Sequence, residues 1–212
     1  MSRSGARSAA TKPNADPEDQ AAARRLFVAM PLPSKAVDVV AGLVADLRTR
    51  LADAETVRWV RMDGLHLTLR FLGPVPGPGI PPLARTVDDV AREGSPFDVA
   101  ISGGGAFPSI ARPRILWLGL TAGATELSSL ARSLGARLET LGWPSDDRPF
   151  RAHLTLARCD GVRAGPAVAR ELTAVAEPLD LRFEVDRLVL FESLTGGGRA
   201  RYVPVHEAAL LA

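Results

Sequence analysis

The tetrapeptide His-Leu-Thr-Leu occurs twice in the chain, at residues 66–69 and 153–156. Successive side chains of an extended strand point to opposite faces, so each copy places its histidine and threonine on one face and its two leucines on the other. The leucines can anchor the strand to a core while the imidazole and the hydroxyl project from the opposite face. Two of the three histidines of the chain lie in these copies. The repeat therefore predicts two similar strands that present the same pair of reactive groups.

The elements around the two tetrapeptides recur in the same order at similar distances. From the first apolar run to the histidine is 40 residues in the first half, counted from Leu26, and 38 in the second, counted from Ile115. From the histidine to the next strand the two distances are 31 and 30 residues. This spacing predicts a duplication, with pseudo-repeats at about 25–105 and 113–190. Two such copies are expected to pack about a pseudo-twofold axis, so that their His-Thr faces line one cleft.

Hydrophobic periodicity predicts alternating strands and helices throughout both halves. The predicted strands cover residues 25–30, 57–72 with an internal turn near Gly64, 97–101, 114–120, the second tetrapeptide, a segment from Leu181, and a closing hairpin from 188–192 and 200–205. The predicted helices carry apolar faces at 37–51, 83–90, 127–141 and 168–175, and Ser34 is the predicted N-cap of the first one. Ser102–Gly105 lacks the Lys and Ser/Thr of a phosphate-binding P-loop, so it predicts a turn.

Composition excludes several classes of protein and site. The single cysteine, Cys159, leaves no intrachain disulfide and no thiolate cluster for a structural metal. No segment approaches the roughly 20 apolar residues of a membrane span. Residues 1–24 are rich in Ala, Ser, Pro and charge, which predicts a disordered tail before one large domain at 25–212. We expect a cytoplasmic monomer that does not contact membranes and needs no cofactor.

Two imidazoles and two hydroxyls in one cleft can perform both halves of a displacement at phosphorus. One neutral imidazole accepts a proton from the nucleophile while the other, protonated, donates one to the leaving oxygen, and each contribution is typically worth about 10²–10⁴ in rate. Histidine suits both roles because its unperturbed pKa of about 6.5 lets both forms coexist near neutrality. The threonine hydroxyls can hold phosphate oxygens, and an arginine can offset their charge. The repeated motif therefore predicts acid–base chemistry on a phosphate ester.

The paired His-Xaa-Thr-Xaa motifs resemble those of the 2H phosphoesterases, and their flanks resemble the LigT-like (ThpR) RNA 2′,3′-cyclic phosphodiesterases. The resemblance runs from Arg25 to about Val205. It is carried by residues 25–29, Trp59, 66–73, 105–108, 113–117, 148–150 and 153–158. One departure is Ala152, because the family often has proline just before its second histidine. The resemblance implies an α+β fold of two lobes, with two antiparallel-type sheets facing each other across a central cleft and helices outside.

The resemblance also implies an activity and a set of roles. The expected reaction is metal-independent opening of a terminal 2′,3′-cyclic phosphate, on RNA or a nucleotide, to a 2′-phosphate. His66 would be the proton donor and His153 the proton acceptor, with Thr68 and Thr155 binding the phosphate. The residues alone leave the order of donor and acceptor open, because a pseudo-symmetric site does not reveal which histidine faces the water. The reverse reaction, 2′-5′ RNA ligation, is open to the same pair.

Two further residues carry over from the resemblance, Phe71 as a contact for the base and Arg158 as a contact for the phosphate. Each lies five residues after its histidine. On a regular strand this spacing places both on the face opposite the histidines, whereas a bulge would return them to the same face.

Two other functions remain open at this point. An RNA-end-binding module could use the same cleft without turnover, although binding alone does not require a duplicated acid–base pair. A metal hydrolase could use His66, His153 and His206 as ligands, although no carboxylate accompanies either motif and threonine is a poor zinc ligand. His206 has no partner motif, which favours a surface or packing role. Cys159 has no neighbouring base in the sequence, which argues against a catalytic thiol.

Overall fold

The structure is a computed structural model that describes residues 23–144, 149–196 and 199–211, without the side chains of residues 52 and 53. Residues 1–22 of the predicted tail, Arg148 and the glycines 197–198 at the predicted hairpin tip lie outside the described residues. The strands are β1 (Arg24–Pro31), β2 (Arg58–Trp59), β3 (His66–Val75), β4 (Phe97–Phe107), β5 (Ile115–Ala122), β6 (Leu154–Arg158), β7 (Leu181–Val185), β8 (Arg187–Leu194) and β9 (Arg201–Ala209). The helices are α1 (Ser34–Arg50), α2 (Ile80–Arg92), α3 (Ala124–Thr140) and α4 (Gly165–Ala176).

The predicted α+β class is confirmed, but the described strands form one continuous antiparallel sheet rather than two. Its order is β7-β4-β5-β6-β3-β1-β8-β9, with β2 also pairing with β6. The two strands that carry the tetrapeptides are neighbours at its centre, joined through the single pair Leu67↔Leu154. Further along the same edge of β6 its partner is β2 instead, through Trp59↔Ala157. The motif strands therefore diverge from one crossing point, and the sheet has two sides without being divided.

Each side of the sheet contains strands from both halves of the sequence. β4, from the first half, pairs with β5 and β7 of the second half, whereas β8 pairs with β1. The stretches beginning at Phe97 and Phe183, which the spacing matched as equivalent, are hydrogen-bonded neighbours with Val99 opposite Phe183. Reading outward from the centre, β3-β1-β8-β9 on one side faces β6-β5-β4-β7 on the other. The duplication and its boundaries stay a prediction.

The four helices cover the leucine face of the sheet. Leu67 and Leu154 are buried in a core that also takes in Leu47 of α1, Leu134 of α3 and other apolar residues of all four helices. The opposite face, which carries the histidines and threonines, is left for the cleft. Ser34 is the first residue of α1 and makes no capping hydrogen bond, so the prediction that it is the N-cap was wrong, and Pro33 holds that position.

Ser102–Gly105, predicted as a turn, belongs to β4. The strand continues through these residues because it bulges there, with register shifts between Ala100 and Gly104 and with Gly103 at φ +69°. Glycine tolerates this left-handed conformation, which other residues rarely adopt. The pattern of three glycines thus marks a kink within a strand rather than the end of one.

The sheet curls toward the histidine face. β9 lies three strands from β3, which in a flat sheet would separate them by about 14 Å. The ring centroids of His66 on β3 and Tyr202 on β9 are nevertheless only 5.0 Å apart. On the other side Phe107 of β4 and His153, just before β6, lie 5.2 Å apart although a whole strand separates them. Both sides therefore fold over the centre and form the walls of a cleft. None of the helices in the described ranges is long and apolar enough to cross a membrane.

Candidate active site

The four motif side chains flank the pair Leu67↔Leu154 at the floor of the cleft. His66 and Thr68 lie on either side of Leu67, and His153 and Thr155 lie on either side of Leu154. The leucines point into the core and are at most 2% exposed, so the flanking residues point to the opposite face. Continuing the antiparallel register brings His66 opposite Thr155 and Thr68 opposite His153. The predicted juxtaposition of two His-Thr pairs is thus present, with the histidines on a diagonal.

The two imidazoles are held in the same way. Nδ1 of His66 lies 2.7 Å from the carbonyl oxygen of Gly64, and Nδ1 of His153 lies 2.7 Å from that of Arg151. A carbonyl oxygen only accepts hydrogen bonds, so each Nδ1 carries a proton and donates it. The second nitrogen, Nε2, is therefore the atom on each ring that is free to exchange a proton with a ligand. Identical anchoring two residues upstream gives both rings the same tautomer.

Aromatic rings from three neighbouring strands surround His66. The ring centroids of Phe27, Tyr202 and Phe191 lie 4.8, 5.0 and 6.2 Å from that of His66. Burial in this apolar setting lowers the pKa of His66 below its usual 6.5. The hydrogen bond to Gly64 opposes this lowering of the pKa, and the charge of the nearby His153 adds to it. In the free protein the environment of His66 therefore favours the neutral imidazole.

His153 has a smaller aromatic wall on the other side of the cleft. Phe107 meets it edge to face at 5.2 Å between centroids, and the Trp117 ring lies 5.1 Å from that of Phe107. Gly105 lies beneath the Trp117 indole, where an added Cβ would come within 2.4 Å of Cζ2. The lack of a side chain at Gly105 therefore lets the indole lie flat against β4 and support Phe107.

A bulge in β3 places Phe71 on the histidine face. Thr68 pairs with Ala29 and Arg70 with Val28, which leaves Leu69 without a partner on β1. Beyond this bulge Phe71 pairs with Phe27. Phe27 and Ala29 are two apart on one strand and so share a face, and their partners Phe71 and Thr68 share it too. Phe71 is 65% exposed and lies 5.9 Å from Phe27, as a free ring at one end of the cleft.

An equivalent bulge in β6 does the same for Arg158. Thr155 pairs with Trp117, and Arg158 pairs with Ile115, two residues earlier on β5. Thr155 and Arg158 therefore face the cleft together, because the extra residue Leu156 reverses the parity of the strand. The charge of Arg158 lowers the pKa of Tyr202, against a larger rise caused by burial, so the guanidinium lies near the phenol. The regular-strand expectation, which placed Phe71 and Arg158 on the far face, was wrong for both.

Sequence analysis missed the aromatic residues that enclose the histidines. Phe27, Phe191 and Tyr202 come from strands far apart in the sequence, and among the enclosing rings only Phe27 and Phe107 lay in stretches that the family resemblance had singled out. Nothing in the local sequence tells which strand will fold over the cleft. His206 lies outside the site, where its Nε2 is 2.7 Å from Oδ1 of Asp88 on α2.

Nothing in the described part of the chain forms a metal site or a reactive thiol. Within residues 23–144, 149–196 and 199–211, no three side chains of His, Cys, Asp or Glu are grouped closely enough to hold a metal ion. The Cys159 thiol is buried, and burial together with Asp160 raises its pKa, so the unreactive protonated form is favoured.

Comparisons with known proteins agree with this arrangement. The family described as the 2′-5′ RNA ligase superfamily matches residues 33–197. The chain is 36% identical to an RNA 2′,3′-cyclic phosphodiesterase of Geobacillus stearothermophilus over 62% of its length, which covers 41% of that relative. It is 30% identical to one of Aeropyrum pernix over 72% of its length and 86% of the relative.

The fold is similar to that of a solved structure. The crystal structure of E. coli LigT complexed with 3′-AMP aligns with 90% of this chain and 99% of that one, with a TM-score of 0.68 and 26% identity. The family match contains both motifs, and the Aeropyrum relative covers 72% of the chain. The chain therefore belongs to the 2′-5′ RNA ligase superfamily and, within it, to the LigT-like 2H phosphoesterases.

Proposed function

We propose that this protein is an RNA 2′,3′-cyclic phosphodiesterase that works without a metal ion. The observation that carries the proposal is the pair of imidazoles on one cleft floor, each with Nδ1 bound to a backbone carbonyl and Nε2 left for proton exchange. Similarity to relatives named RNA 2′,3′-cyclic phosphodiesterase supports the substrate. The LigT structure with 3′-AMP supports a nucleotide in this cleft. The same site is open to the reverse reaction, 2′-5′ ligation.

The reaction is an attack of water on the cyclic phosphorus. His153, neutral at Nε2, accepts a proton from the water as its oxygen bonds to phosphorus. The bond from phosphorus to the 3′ oxygen breaks, and His66 donates a proton to that oxygen. The products are a 3′-hydroxyl and a 2′-phosphate, and the two histidines are left with exchanged protonation states that solvent restores. Each proton transfer is worth about 10²–10⁴ in rate.

To act as the proton donor, His66 must carry a proton on both ring nitrogens when the substrate reacts. Its burial lowers its pKa, so the charged form is the minor one in the free protein at neutral pH. A bound phosphate anion favours the charged form, because opposite charge a few ångströms away raises the pKa of an imidazole. Protonation of His66 is therefore coupled to binding of the substrate.

The other residues bind the two ends of the nucleotide. Thr68 and Thr155 flank the crossing point of the motif strands and offer hydroxyl donors to the non-bridging oxygens. Arg158 offsets the phosphate charge from the same face. Phe71, exposed at the opposite end, offers its ring to the base. We also propose that the protein is cytoplasmic. We propose that it is a monomer, because one chain supplies every group in the site, and light scattering during gel filtration would test this.

The test of the activity is hydrolysis of a nucleoside 2′,3′-cyclic phosphate in excess EDTA, with the phosphate isomer of the product identified. Wild type should form the 2′-phosphate, and His66→Ala and His153→Ala should each lose at least about 10² in kcat/KM. His206→Ala is the matched control, because it removes the third histidine from outside the cleft, and it should retain activity. No turnover by the wild type would favour an RNA-end-binding module. Turnover lost only in EDTA would favour a metal hydrolase.

The donor and acceptor roles need a separate test with an activated substrate. A nucleotide p-nitrophenyl phosphodiester releases a stable anion, so its cleavage needs no proton donor. His66→Ala should retain most of the wild-type rate on this substrate, and His153→Ala should not. The reverse pattern would exchange the two roles and leave the phosphodiesterase proposal intact.

A further inference from the structure

The cleft has chemically different ends. β3 and β6 run antiparallel from their crossing at Leu67↔Leu154, so residues that follow each motif lie in opposite directions. Phe71 follows the first motif and forms an aromatic end with Phe27. Arg158 follows the second motif and lies at the other end. A nucleotide whose base contacts Phe71 therefore has the Arg158 end available for the rest of its chain.

The Arg158 end of the cleft has more arginine side chains than carboxylates to pair with them. Arg58 of β2 lies directly beside Arg158 in the sheet register, and Arg114 directly precedes Ile115, which pairs with Arg158. One carboxylate, Asp160, serves two of these cations, at 3.5 Å from Arg58 and 3.9 Å from Arg114. The side chains of Arg58 and Arg114 are still 66% and 76% exposed.

A groove lies beside the segments that follow β4 and β6, beyond Phe107 and Arg158 in the chain. It encloses about 830 Å³ between the loop from β4 to β5 and the segment from β6 to α4. Its walls start at Pro108 and Cys159, the residues that directly follow Phe107 and Arg158 of the cleft. Both walls of the groove therefore begin with segments that directly continue strands of the cleft.

The groove is lined by guanidinium groups with little to neutralise them. Arg112, Arg114 and Arg163 contribute to its walls, and all three are exposed. Neither Arg112 nor Arg163 forms an ion pair with any acid in the described ranges. Planar guanidinium groups spaced along a groove suit successive phosphates, which they can bind through two parallel hydrogen bonds.

We propose that this groove binds the phosphodiester backbone of an RNA strand upstream of its reacting 3′ end. The inference rests on the proposed function and adds to it a second binding site, which only a substrate longer than a mononucleotide can reach. A mononucleotide fills the cleft from Phe71 to Arg158 and has no phosphate left for Arg112 or Arg163. An oligonucleotide has one further phosphate for every nucleotide upstream, and the groove leads away from the site in the direction of the Arg158 end.

The first measurement compares substrates of different length. The kcat/KM for an RNA oligomer ending in a 2′,3′-cyclic phosphate is divided by that for the matching nucleoside 2′,3′-cyclic phosphate. The double variant Arg112→Ala/Arg163→Ala should lower this ratio by about tenfold. Arg85→Ala/Arg132→Ala is the control, because it removes the same charge from exposed positions on α2 and α3 and should leave the ratio unchanged. Equal ratios in all three proteins would overturn the proposal.

A binding measurement separates this proposal from the proposed activity, because it needs no turnover. A fluorescein-labelled RNA oligomer ending in a 2′-phosphate is titrated with each protein at several salt concentrations, and anisotropy gives the affinity. Loss of two phosphate contacts should lower the slope of log affinity against log salt by about 1.4 in magnitude. If the wild type hydrolyses neither substrate but the groove variant still shows this smaller slope, the proposed activity is refuted and RNA binding by the groove is supported. An unchanged slope in the groove variant, or equally tight binding of polyglutamate of the same length, would overturn RNA binding by the groove.

Discussion

Gly105→Ala tests whether the support behind His153 is as tight as the structure indicates. The added Cβ would lie 2.4 Å from Cζ2 of Trp117 and 2.6 Å from Cη2, against ordinary contacts of 3.4 Å or more. The indole or the strand must therefore move by about 1 Å. Overpacking of this kind costs about 1–3 kcal/mol in the free energy of unfolding. Because Trp117 contacts Phe107 and Phe107 contacts His153, the shift also reaches the proposed proton acceptor.

The expected effect on activity follows from the size of that shift. A displacement of about 1 Å at a reacting group can cost up to about 10² in rate, so kcat/KM for a cyclic nucleotide should fall by about tenfold to a hundredfold. Urea unfolding measures the stability, and initial rates measure the activity. Gly42→Ala is the matched control, since nothing lies within 4 Å of its added Cβ in the middle of α1. It should stabilise the protein by about 0.5–1 kcal/mol and leave the rate unchanged.

A second variant identifies the cause. Trp117→Phe removes Cζ2 and Cη2, and it sacrifices no hydrogen bond because the indole Nε1 has no partner in the described part of the chain. Gly105→Ala should therefore cost less stability in the Trp117→Phe background than in the wild type, with a coupling energy of about 1 kcal/mol or more. If Gly105→Ala costs the same in both backgrounds, contact with the indole is not the reason that this position is glycine.

Three further predictions concern other side chains. Because burial lowers the pKa of His66 in the folded protein, the unfolded protein binds a proton at this residue more tightly. The free energy of unfolding should therefore fall as pH drops below about 6.5. Subtracting the free energy of unfolding of His66→Gln at each pH isolates this loss, and identical curves for the two proteins would refute it. Phe71→Ala should change stability by less than about 0.5 kcal/mol and raise KM for a cyclic nucleotide by about fivefold to a hundredfold, whereas Phe27→Ala should cost about 3–5 kcal/mol of stability; a KM unaffected by Phe71→Ala would remove it from the site. Cys159 should resist a thiol-specific reagent such as DTNB at pH 8 in the folded protein and react fully in denaturant, and rapid reaction of the native protein would contradict its burial.

Local sequence was sufficient for most of the elements. The run from Leu26 to Met30 is a strand, and the leucines of the second half stripe α3 as predicted. These elements could be recognised because their periodicity depends only on which side chains must be buried. The pattern failed at Ser102–Gly105, where three glycines in β4 lie within a kinked strand. Glycine is permitted by both a turn and a bulge, so composition could not choose between them.

Which strands become neighbours could not be predicted from spacing. The near-equal distances matched the stretches at Phe97 and Phe183 to each other, but they gave no indication that the two pair at one edge of the sheet. Strand pairing depends on contacts between residues far apart in the chain, and a count along the chain does not contain them. The single sheet, in place of two, follows from the same cause, because one pair between Leu67 and Leu154 joins its halves.

The sequence by itself determined the chemistry of the cleft floor. An alternation of histidine, leucine, threonine and leucine can bury its leucines in only one way, and that places His66, Thr68, His153 and Thr155 on the open face. Only the tertiary structure decided that Phe71 and Arg158 join them, since each depends on a bulge created by the register with a distant strand. Only the curl of the sheet brought Tyr202 against His66 and lowered the pKa of that histidine through burial. Each motif strand supplies its reactive groups through its own sequence. The pairing of the strands decides which other residues lie beside those groups and how burial affects their protonation.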